Sequence, residues 1–334
     1  MNWDEFCSVE NVYSAWRDFS KGKHNKKDVI YLATELEKEL LSLHEDLAQG
    51  LYEHGQYTSF TVHDPKERII HKATVRDRIV HRMIYNYLLP IVHPRFLDCS
   101  FSCRPGFGQH RAIGAVQKAI RKSTKNYSHD VIALKCDIKK FFDTIDQDIL
   151  YRLIAKRIHH GHFLSLVRTV LRSFYCKEPG KGLPIGNLTS QIFANIYMHE
   201  FDWFVKHDLR QRWYYRYADD VIFLLSPDDD IEQLFYNIEQ FLLKKLQLVI
   251  HPNKILVRPV HQGIDWLGKI ICPGYTILRT STRRRMLKKI EAHARMGTES
   301  ERFASVIGSY HGLLKGTARN TIDRQICQIV ALSR

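Results

Sequence analysis

The most constraining feature of the sequence is a pair of adjacent aspartates between two apolar runs. The tetrapeptide YADD occupies residues 217–220, after the run 213–216 and before the run 221–225. Two strand-like runs separated by a short polar segment are typical of a β-hairpin with a tight turn. Because neighbouring carboxylates repel each other, such a turn needs a compensating cation, and oxygen ligands favour Mg²⁺ or Mn²⁺. An ordinary polar hairpin tip would explain these two aspartates taken alone.

The chain carries a large excess of positive charge. Its 334 residues can bury a substantial core and hold two or three subdomains. Lys and Arg together number 50 against 36 Asp and Glu, which gives a formal net charge of +14. Such an excess indicates a polyanionic partner, and nucleic acid is the commonest one. On charge alone, a basic solvated surface remains the alternative.

The cysteines and the apolar segments argue against a zinc site, a secreted protein and a membrane protein. The seven cysteines form no CxxC pair, so we expect no zinc site. No apolar stretch approaches membrane-spanning length, and the N-terminus lacks a basic region followed by an apolar run. These observations predict a protein of the reducing cytoplasm with no membrane partner.

Hydrophobic periodicity predicts helices in the first part of the chain. Apolar residues recur at helical spacing from Val29 to Leu47, and Gly50 is a plausible helix stop. Short β-like runs follow over residues 55–80. A further helix is expected from about Arg76 to Leu89, where Pro90 should end it.

A second group of carboxylates lies upstream of the hairpin. The nearly continuous apolar run 131–136 is typical of a buried strand, and it leads directly to Asp137. If this strand lies beside the hairpin, Asp137 and Asp219 can share metal ions. Two ions so placed could activate a primer hydroxyl and stabilise a leaving pyrophosphate. The alternative for Asp137 is a simple cap at a strand end.

These two acidic blocks resemble the catalytic motifs of reverse transcriptases. Residues 135–142, KCDIKKFF, match the family's first catalytic block, and YADD at 217–220 matches its YxDD block. The resemblance runs from about residue 60 to residue 275. It implies an α+β fold of the right-hand polymerase kind, with an antiparallel palm sheet and a helical thumb. It also implies RNA-directed DNA synthesis from dNTPs with two Mg²⁺ ions, for which Mn²⁺ could substitute, on a template RNA and an RNA/DNA hybrid.

The resemblance also implies a division of the chain into four parts. Residues 1–55 would form an N-terminal helical extension, and residues 56–130 the fingers with the start of the palm. Residues 131–275 would form the palm with inserted fingers helices, and 276–334 a basic helical thumb. The basic residues of the thumb would hold the backbone of the duplex by charge.

The family pattern assigns roles to individual positions around the acidic blocks. Asp137, Asp219 and Asp220 would be catalytic and would bind the metal ions together with the backbone carbonyl of Ile138. Phe142 falls at the steric gate, where a ring clashes with the 2′-hydroxyl of a ribonucleotide. The alternative for this aromatic residue is a place in the core.

Further positions match the nucleotide pocket and the primer grip. Arg104 matches an arginine that contacts the incoming triphosphate, a task that suits a fork-shaped cation. Arg68 is a second candidate for this pocket, with a solvated surface charge as its alternative. Lys254 lies where some polymerases keep a general acid for pyrophosphate, although an exposed structural lysine is an equal explanation. The remaining expected contacts are Gly186 and Gln191 for the nucleotide, and Trp266, Leu267 and Gly268 for the primer grip.

The stretch 185–191, IGNLTSQ, resembles one subgroup, the reverse transcriptases of diversity-generating retroelements. Most reverse transcriptases have Gln-Gly at its start and Ser-Pro at its end. Members of the subgroup, found in prokaryotes and phages, copy a template-repeat RNA with frequent errors at adenine, and the cDNA replaces a variable region of a target gene. They work with a small, basic, helical accessory protein. We expect Ile185 and Arg104 to help set the low fidelity.

Other reverse transcriptases are the main alternatives. A group II intron enzyme should carry Gln at position 185 and a maturase region after Thr280, where few residues follow. A retron enzyme should carry a Val-Thr-Gly motif after YxDD, which this chain lacks. A phage-defence reverse transcriptase stays open, because such proteins vary widely. A degenerate polymerase that only binds RNA is the non-enzymatic alternative, and the retention of both acidic blocks argues against it.

Overall fold

The structure is a computed structural model, described here for residues 1–63, 67–297 and 300–332. The chain divides into two units, each built from three separate segments. The first unit contains Met1–Cys103, Asp137–Arg210 and Gln233–His251, and the second contains Arg104–Cys136, Gln211–Glu232 and Pro252–Arg334. Because the segments alternate, neither unit corresponds to a continuous stretch of sequence. The four-part division into extension, fingers, palm and thumb therefore stays a prediction.

The described residues form helices and short strands, as an α+β chain should. The helices are α1 (Trp3–Cys7), α2 (Val9–Ser20), α3 (Lys27–Ala33), α4 (Leu36–Gln49), α5 (Val75–Val92), α6 (Gln109–Ser123), α7 (Phe141–Thr144), α8 (Gln147–Ala155), α9 (Gly161–Arg172), α10 (Leu188–Trp203), α11 (Ile231–Leu246), α12 (Thr280–Ala294), α13 (Glu301–Leu314) and α14 (Asn320–Leu332). The strands are β1 (Thr58–Val62), β2 (Arg68–Lys72), β3 (Ile132–Asp137), β4 (Tyr214–Tyr217), β5 (Asp220–Leu225), β6 (Leu256–Pro259), β7 (Ile264–Trp266), β8 (Lys269–Cys272) and β9 (Tyr275–Leu278). Within the described ranges, no helix has the length and apolar character needed to cross a membrane.

The helices of the first unit begin and end at residues with clear local signals. Asn2 and Glu5 form a capping box at the start of α1, in which the side chain of each residue accepts a hydrogen bond from the backbone N–H of the other residue. At the end of α4, Gly50 adopts φ 72°, the left-handed conformation that glycine tolerates at a helix end. The predicted stop at Gly50 is therefore confirmed.

The predicted end of α5 at Pro90 is wrong. The helix begins after Thr74, whose side chain accepts a hydrogen bond from the Asp77 N–H, and it continues through Pro90 to Val92. A proline removes one hydrogen bond from a helix. Here Leu88 and Val92 are both almost fully buried on either side of Pro90, and their packing holds the last turn in the helix.

The four-stranded sheet of the second unit has the order β4-β5-β3-β6. β4 and β5 form an antiparallel hairpin, and β3 pairs antiparallel with β6. Residues 221–225 of β5 are all buried, which explains the unbroken apolar run in the sequence. The hairpin around residues 217–220 and the strand that ends at Asp137 are both confirmed.

The C-terminal part of the second unit contains the antiparallel strands β7-β8-β9 and three helices. Helices α12, α13 and α14 pack around an apolar cluster formed by Leu278, Met286, Ile290, Ala294, Phe303, Leu314, Ile322 and Ile326. The buried Lys269 of β8 donates a hydrogen bond from Nζ to the Lys315 carbonyl, at 3.0 Å. This bond ties β8 to the connection between α13 and α14, and burial lowers the pKa of Lys269.

Candidate active site

The tip of the β4–β5 hairpin is a two-residue turn that carries the aspartate pair. Tyr217 pairs with Asp220, which leaves Ala218 and Asp219 in the turn. Ala218 has φ 56°, as two-residue hairpin turns of the mirror-image types require at their first central position. This conformation costs a residue that carries a Cβ about 1–2 kcal/mol. The turn therefore needs support from its surroundings.

The buried Arg216 supplies that support. Its side chain is only 1% exposed, and Nη1 donates a hydrogen bond to the Ala218 carbonyl at 3.0 Å. Hydrogen bonds that involve a charged group contribute about 1.5–3 kcal/mol, enough to offset the strain at Ala218. From the sequence, Arg216 was predicted only to be part of a strand, and the one signal of its role was a charged residue inside an apolar run.

A lysine on the neighbouring strand reaches the second aspartate of the pair. β3 lies next to β5 in the sheet, and Lys135 Nζ lies 3.4 Å from Asp220 Oδ2. The two side chains are 19% and 20% exposed. Neighbouring carboxylates repel each other unless a cation compensates them, and here an ammonium group lies beside Asp220. This role of Lys135 could not be predicted from the sequence, because the contact joins strands that are distant in the chain.

Asp137 is the last residue of β3 and lies on the same face of that strand as Lys135, two residues earlier. Its backbone is held in the first unit, where the Asp137 carbonyl accepts a hydrogen bond from His251 N–H at 2.8 Å. The next residue, Ile138, forms a bridge with Ile250. These bonds fix the main chain at the position predicted to supply two metal ligands.

The aspartates fit a hard divalent ion by their chemistry, because carboxylate oxygens are the ligands that Mg²⁺ prefers. In residues 1–63, 67–297 and 300–332, however, no group of three or more His, Cys, Asp or Glu side chains is already arranged around a common point. Asp220 is instead paired with Lys135. Metal binding by Asp137, Asp219, Asp220 and the Ile138 carbonyl therefore stays a prediction.

The two phenylalanines that follow Asp137 have different environments. α7 starts after Lys140, and Phe141 is 2% exposed whereas Phe142 is half-buried. Their rings lie 5.3 Å apart, centroid to centroid, and the Phe142 carbonyl accepts a hydrogen bond from Leu183 N–H at 2.7 Å. Phe141 thus takes the core position, and the partly exposed ring of Phe142 is consistent with the predicted gate.

The loop that contains Ile185 and Gly186 is fixed to strand β2. His71 N–H donates a hydrogen bond to the Ile185 carbonyl at 3.0 Å, and Asn187 Nδ2 donates to the His71 carbonyl at 2.7 Å. Gly186 has φ 110°, and a Cβ on this residue would lie 2.7 Å from Cγ2 of Ile70. Only glycine fits such a close approach with that backbone conformation.

We therefore expect Gly186→Ala to destabilise the protein. Backbone strain should cost about 1–3 kcal/mol, and the clash with Ile70 should add about 1–3 kcal/mol. The measurement is the free energy of unfolding in urea. Gly180→Ala is the matched control, since Gly180 has φ 79° with no atom within 4 Å of a new Cβ. A Gly186→Ala variant no less stable than the Gly180→Ala variant would contradict the steric argument.

A buried polar network supports the start of α10, next to this loop. His81 Nδ1 lies 3.4 Å from Thr189 Oγ1, and His54 Nε2 lies 3.1 Å from His81 Nε2. His54 Nδ1 is 3.7 Å from Asp77 Oδ2. Burial lowers the pKa of His81 to about 3, so that this ring is neutral at physiological pH. Nothing in the local sequence pattern indicated this network.

The predicted triphosphate contact, Arg104, is held by an aromatic ring. Arg104 is 7% exposed, and its Cζ lies 3.8 Å from the ring centroid of Phe107. Arg111 approaches the same ring at 3.9 Å. Phe107 is thus contacted by two guanidinium groups, an arrangement favoured by the negative face of the ring. No sequence motif indicated that Phe107 would contact these two arginines.

The predicted primer-grip residues form the turn of the β7–β8 hairpin. Trp266 pairs with Lys269, and Leu267 and Gly268 both have positive φ, at 52° and 77°. Trp266 is fully buried, and its ring centroid lies 6.5 Å from that of Tyr217 in an edge-to-face arrangement. The structure therefore brings the predicted grip hairpin beside the hairpin that carries the aspartate pair.

The structure does not place the remaining candidates in a buried pocket. Arg68 is exposed on β2, and Lys254 is exposed at the end of the short helical turn Pro252–Lys254. Gln191 is exposed on the first turn of α10. Their contacts with a nucleotide stay predictions.

Sequence comparison relates this chain to reverse transcriptases. The family described as "Reverse transcriptase (RNA-dependent DNA polymerase)" matches residues 62–271. "Protein YkfC" of Escherichia coli is 24% identical over 294 residues, which cover 75% of this chain and 76% of that protein. The "Group II intron-encoded protein LtrA" of Lactococcus lactis is 28% identical over 145 residues, which cover 42% of this chain and 23% of that protein.

Comparison with solved structures shows the fold. Apo telomerase from Candida tropicalis is similar with a TM-score of 0.56 at 12% identity, over 84% of this chain and 57% of that chain. Telomerase from Candida albicans in complex with a fragment of telomeric RNA gives a TM-score of 0.51 at 12% identity, over 84% and 55%. The predicted right-hand polymerase fold of the α+β class is confirmed.

The matched family region extends over more than half of the chain and agrees closely with the range 60–275 expected from the motifs. It contains β3 with Asp137, the hairpin with the aspartate pair and the β7–β8 hairpin. The chain spans just over half of the telomerase chains and about three quarters of YkfC. It belongs to the reverse transcriptase (RNA-dependent DNA polymerase) family.

Proposed function

We propose that this protein copies RNA into DNA by metal-assisted phosphoryl transfer, with Asp137, Asp219 and Asp220 as catalytic residues. The observation that carries the proposal is the order of the four-stranded sheet. The strand that begins with Asp220 lies next to the strand that ends with Asp137. When bound, two Mg²⁺ ions, or Mn²⁺ in their place, would lower the pKa of the primer hydroxyl and stabilise the leaving pyrophosphate.

The other residues of the proposed site bind and select the substrates. The Arg104 guanidinium would pair with the triphosphate, and its contact with Phe107 would limit the orientations it can adopt. Phe142 would exclude a 2′-hydroxyl by contact. Basic residues of α12 would hold the RNA/DNA hybrid through its phosphates; the basic residues of this helix are Arg283, Arg284, Arg285, Lys288 and Lys289.

Primer extension on a defined RNA template tests this function. The purified protein, a primed RNA, the four dNTPs and Mg²⁺ should yield cDNA of template length. The protein should also bind the primed RNA, with an affinity that falls steeply as salt rises. Binding without any nucleotide incorporation, with Mg²⁺ or Mn²⁺, would favour the degenerate RNA-binding protein instead.

We propose that the specific role of this DNA synthesis is the mutagenic copying of RNA in a diversity-generating retroelement. Ile185 and the Ser-Gln pair at 190–191 support this assignment through their resemblance to that subgroup. On this proposal the template is a repeat RNA, and the cDNA, mutated at adenines, replaces a variable region of a target gene. A small basic helical protein would assist the copying. Both proteins would act in the cytoplasm of a prokaryote, and the element would be encoded by that prokaryote or by a phage.

Replacing Ile185 with glutamine should lower the frequency of errors opposite template adenine. Ile185 is half-buried and its backbone is bonded to His71, so the new amide would be held near the nucleotide pocket, where it could form hydrogen bonds. The measurement is deep sequencing of cDNA made on an RNA with equal base composition. Ile185→Val is the control, since it keeps an aliphatic side chain and should keep the errors. An unchanged adenine error frequency in the glutamine variant would contradict the assigned role.

An intron-associated reverse transcriptase is the second candidate. It is favoured by matches to intron-encoded proteins, including LtrA and an "Uncharacterized 91 kDa protein in cob intron" of Schizosaccharomyces pombe, 31% identical over 137 residues. Sequencing the RNA that co-purifies with the protein from its host separates the two candidates. Enrichment of a structured intron would favour this one, and enrichment of a repeat RNA the retroelement. A retron or phage-defence enzyme would enrich neither RNA.

A further inference from the structure

The ion pair between Lys135 and Asp220 lies inside the proposed active site and has no role in the scheme above. Nζ of Lys135 and Oδ2 of Asp220 are 3.4 Å apart, and each side chain is about four-fifths buried. Ions that are mostly shielded from solvent are screened less by water and salt than ions on an open surface. The attraction between these two groups is therefore stronger than in an ordinary surface pair.

A cation beside Asp220 lowers the repulsion between the two neighbouring carboxylates whether or not a metal is bound. Asp219 and Asp220 are consecutive residues at the tip of the hairpin, and like charges on neighbouring residues repel each other. We propose that Lys135 is an internal counter-ion of Asp220, which holds this carboxylate in the metal-free protein and competes with a divalent ion for it. Lys135 is then a positioning residue that acts through Asp220. This inference rests on the proposed two-metal function.

The backbone of Lys135 is held by strand pairing, whereas its ammonium group lies at the end of a flexible side chain. Lys135 pairs with Leu256 of β6, and its neighbours Leu134 and Cys136 are each 1% exposed. Its backbone therefore stays in place. The ammonium, at the end of a flexible four-carbon stem, can turn away from Asp220 when a metal ion approaches.

Arg216 differs from Lys135 in this respect. Its guanidinium is bonded to the Ala218 carbonyl and is almost completely buried, so its charge remains in place whether or not a metal is bound. Arg216 supports the shape of the turn, and Lys135 compensates the charge of one carboxylate on it. Of these two cations, only Lys135 can move away from its partner, so we expect only its removal to change the affinity of the site for a metal ion.

Binding of Mn²⁺ to the full chain, without nucleotide or RNA, tests the proposal. Electron paramagnetic resonance separates free from bound Mn²⁺ and requires no turnover. Lys135→Met keeps the length and removes the charge, and it should bind Mn²⁺ about tenfold more tightly, because a nearby positive charge no longer opposes the ion. Lys135→Arg keeps the charge and should bind like the unchanged protein. Equal or weaker Mn²⁺ affinity in Lys135→Met would overturn the proposal.

A double-mutant cycle shows whether Lys135 acts through Asp220. In an Asp220→Asn background, Lys135→Met should leave Mn²⁺ affinity nearly unchanged, because the carboxylate for which the two cations compete is gone. A tenfold tightening that persists there would mean that Lys135 repels the ion directly, and would refute its role as counter-ion of Asp220.

Thermal unfolding supplies an independent readout and a check on folding. Without metal, Lys135→Met should melt at a lower temperature than the unchanged protein, and Mn²⁺ should raise its melting temperature by a larger increment. Lys135→Gln should behave in the same way if the methionine variant does not fold. An identical Mn²⁺-induced increment in the neutral variants and the unchanged protein would contradict the inference.

Mn²⁺ binding by the unchanged protein separates an error about Lys135 from an error about the two-metal function. The two-metal function itself is wrong if the unchanged protein does not bind Mn²⁺, or if Asp219→Asn does not abolish that binding. If such binding is present and Lys135→Met does not alter it, only the role of Lys135 is wrong.

Discussion

Replacing Asp219 with asparagine should abolish DNA synthesis while leaving RNA binding intact. The substitution keeps the size of the side chain but removes the charge that a divalent ion would need at the tip of the turn. We expect the rate of dNTP incorporation to fall about a thousandfold or more, since each such electrostatic contact is worth several kcal/mol in a transition state. Primer extension measures the rate, and fluorescence anisotropy measures the affinity for primed RNA.

Asp228→Asn is the matched control for this experiment. Asp228 is exposed in the loop after β5, and the same chemical change there should leave synthesis unaffected. Asp137→Ala should resemble Asp219→Asn in activity. The proposed site would be wrong if the Asp219→Asn variant kept more than a tenth of the original rate, or if its defect came with loss of RNA binding.

Replacing Phe142 with alanine should relax the discrimination against ribonucleotides. Its ring is the half-buried partner of the fully buried Phe141, so its removal opens space without opening the core. Loss of a steric contact of this size is worth about 10- to 200-fold in selectivity. The measurement is the ratio of kcat/KM for dNTP and rNTP on the same primed RNA.

Two variants separate a gate from a general loss of structure. Phe142→Tyr keeps the ring and should keep the selectivity. Phe141→Leu should lower the melting temperature, because Phe141 is 2% exposed, but should leave the choice of sugar unchanged. If ribonucleotide use does not rise in Phe142→Ala, another residue selects the sugar.

The hairpin and the strand before Asp137 could be predicted because their signals are local. An unbroken apolar run indicates a strand buried on both faces, and two short runs around a polar turn indicate a hairpin. The helix end at Gly50 could also be predicted from neighbouring residues. The same is true of which segments are extended and which are helical. The predicted helix end at Pro90 was wrong because the burial of Leu88 and Val92 outweighed the tendency of proline to end a helix.

The supporting contacts of the site could not be predicted because they join distant parts of the chain. Lys135 reaches Asp220 only through the pairing of β3 with β5, and no periodicity in either segment reveals that pairing. Phe107 gains its contacts with Arg104 and Arg111 from the course of a loop. A sequence motif shows which residues carry out the chemistry, whereas the residues that hold them depend on tertiary structure.

The alternation of segments between the two units has a consequence for synthesis on the ribosome. The first unit is incomplete until residues up to His251 have been made, and the second requires the C-terminal helices. Contacts between segments so far apart form late and slowly, and they leave apolar surface exposed in the meantime. A nascent chain of this protein therefore exposes apolar surface to aggregation over a long interval, and a single cut anywhere between residues 104 and 251 divides both units.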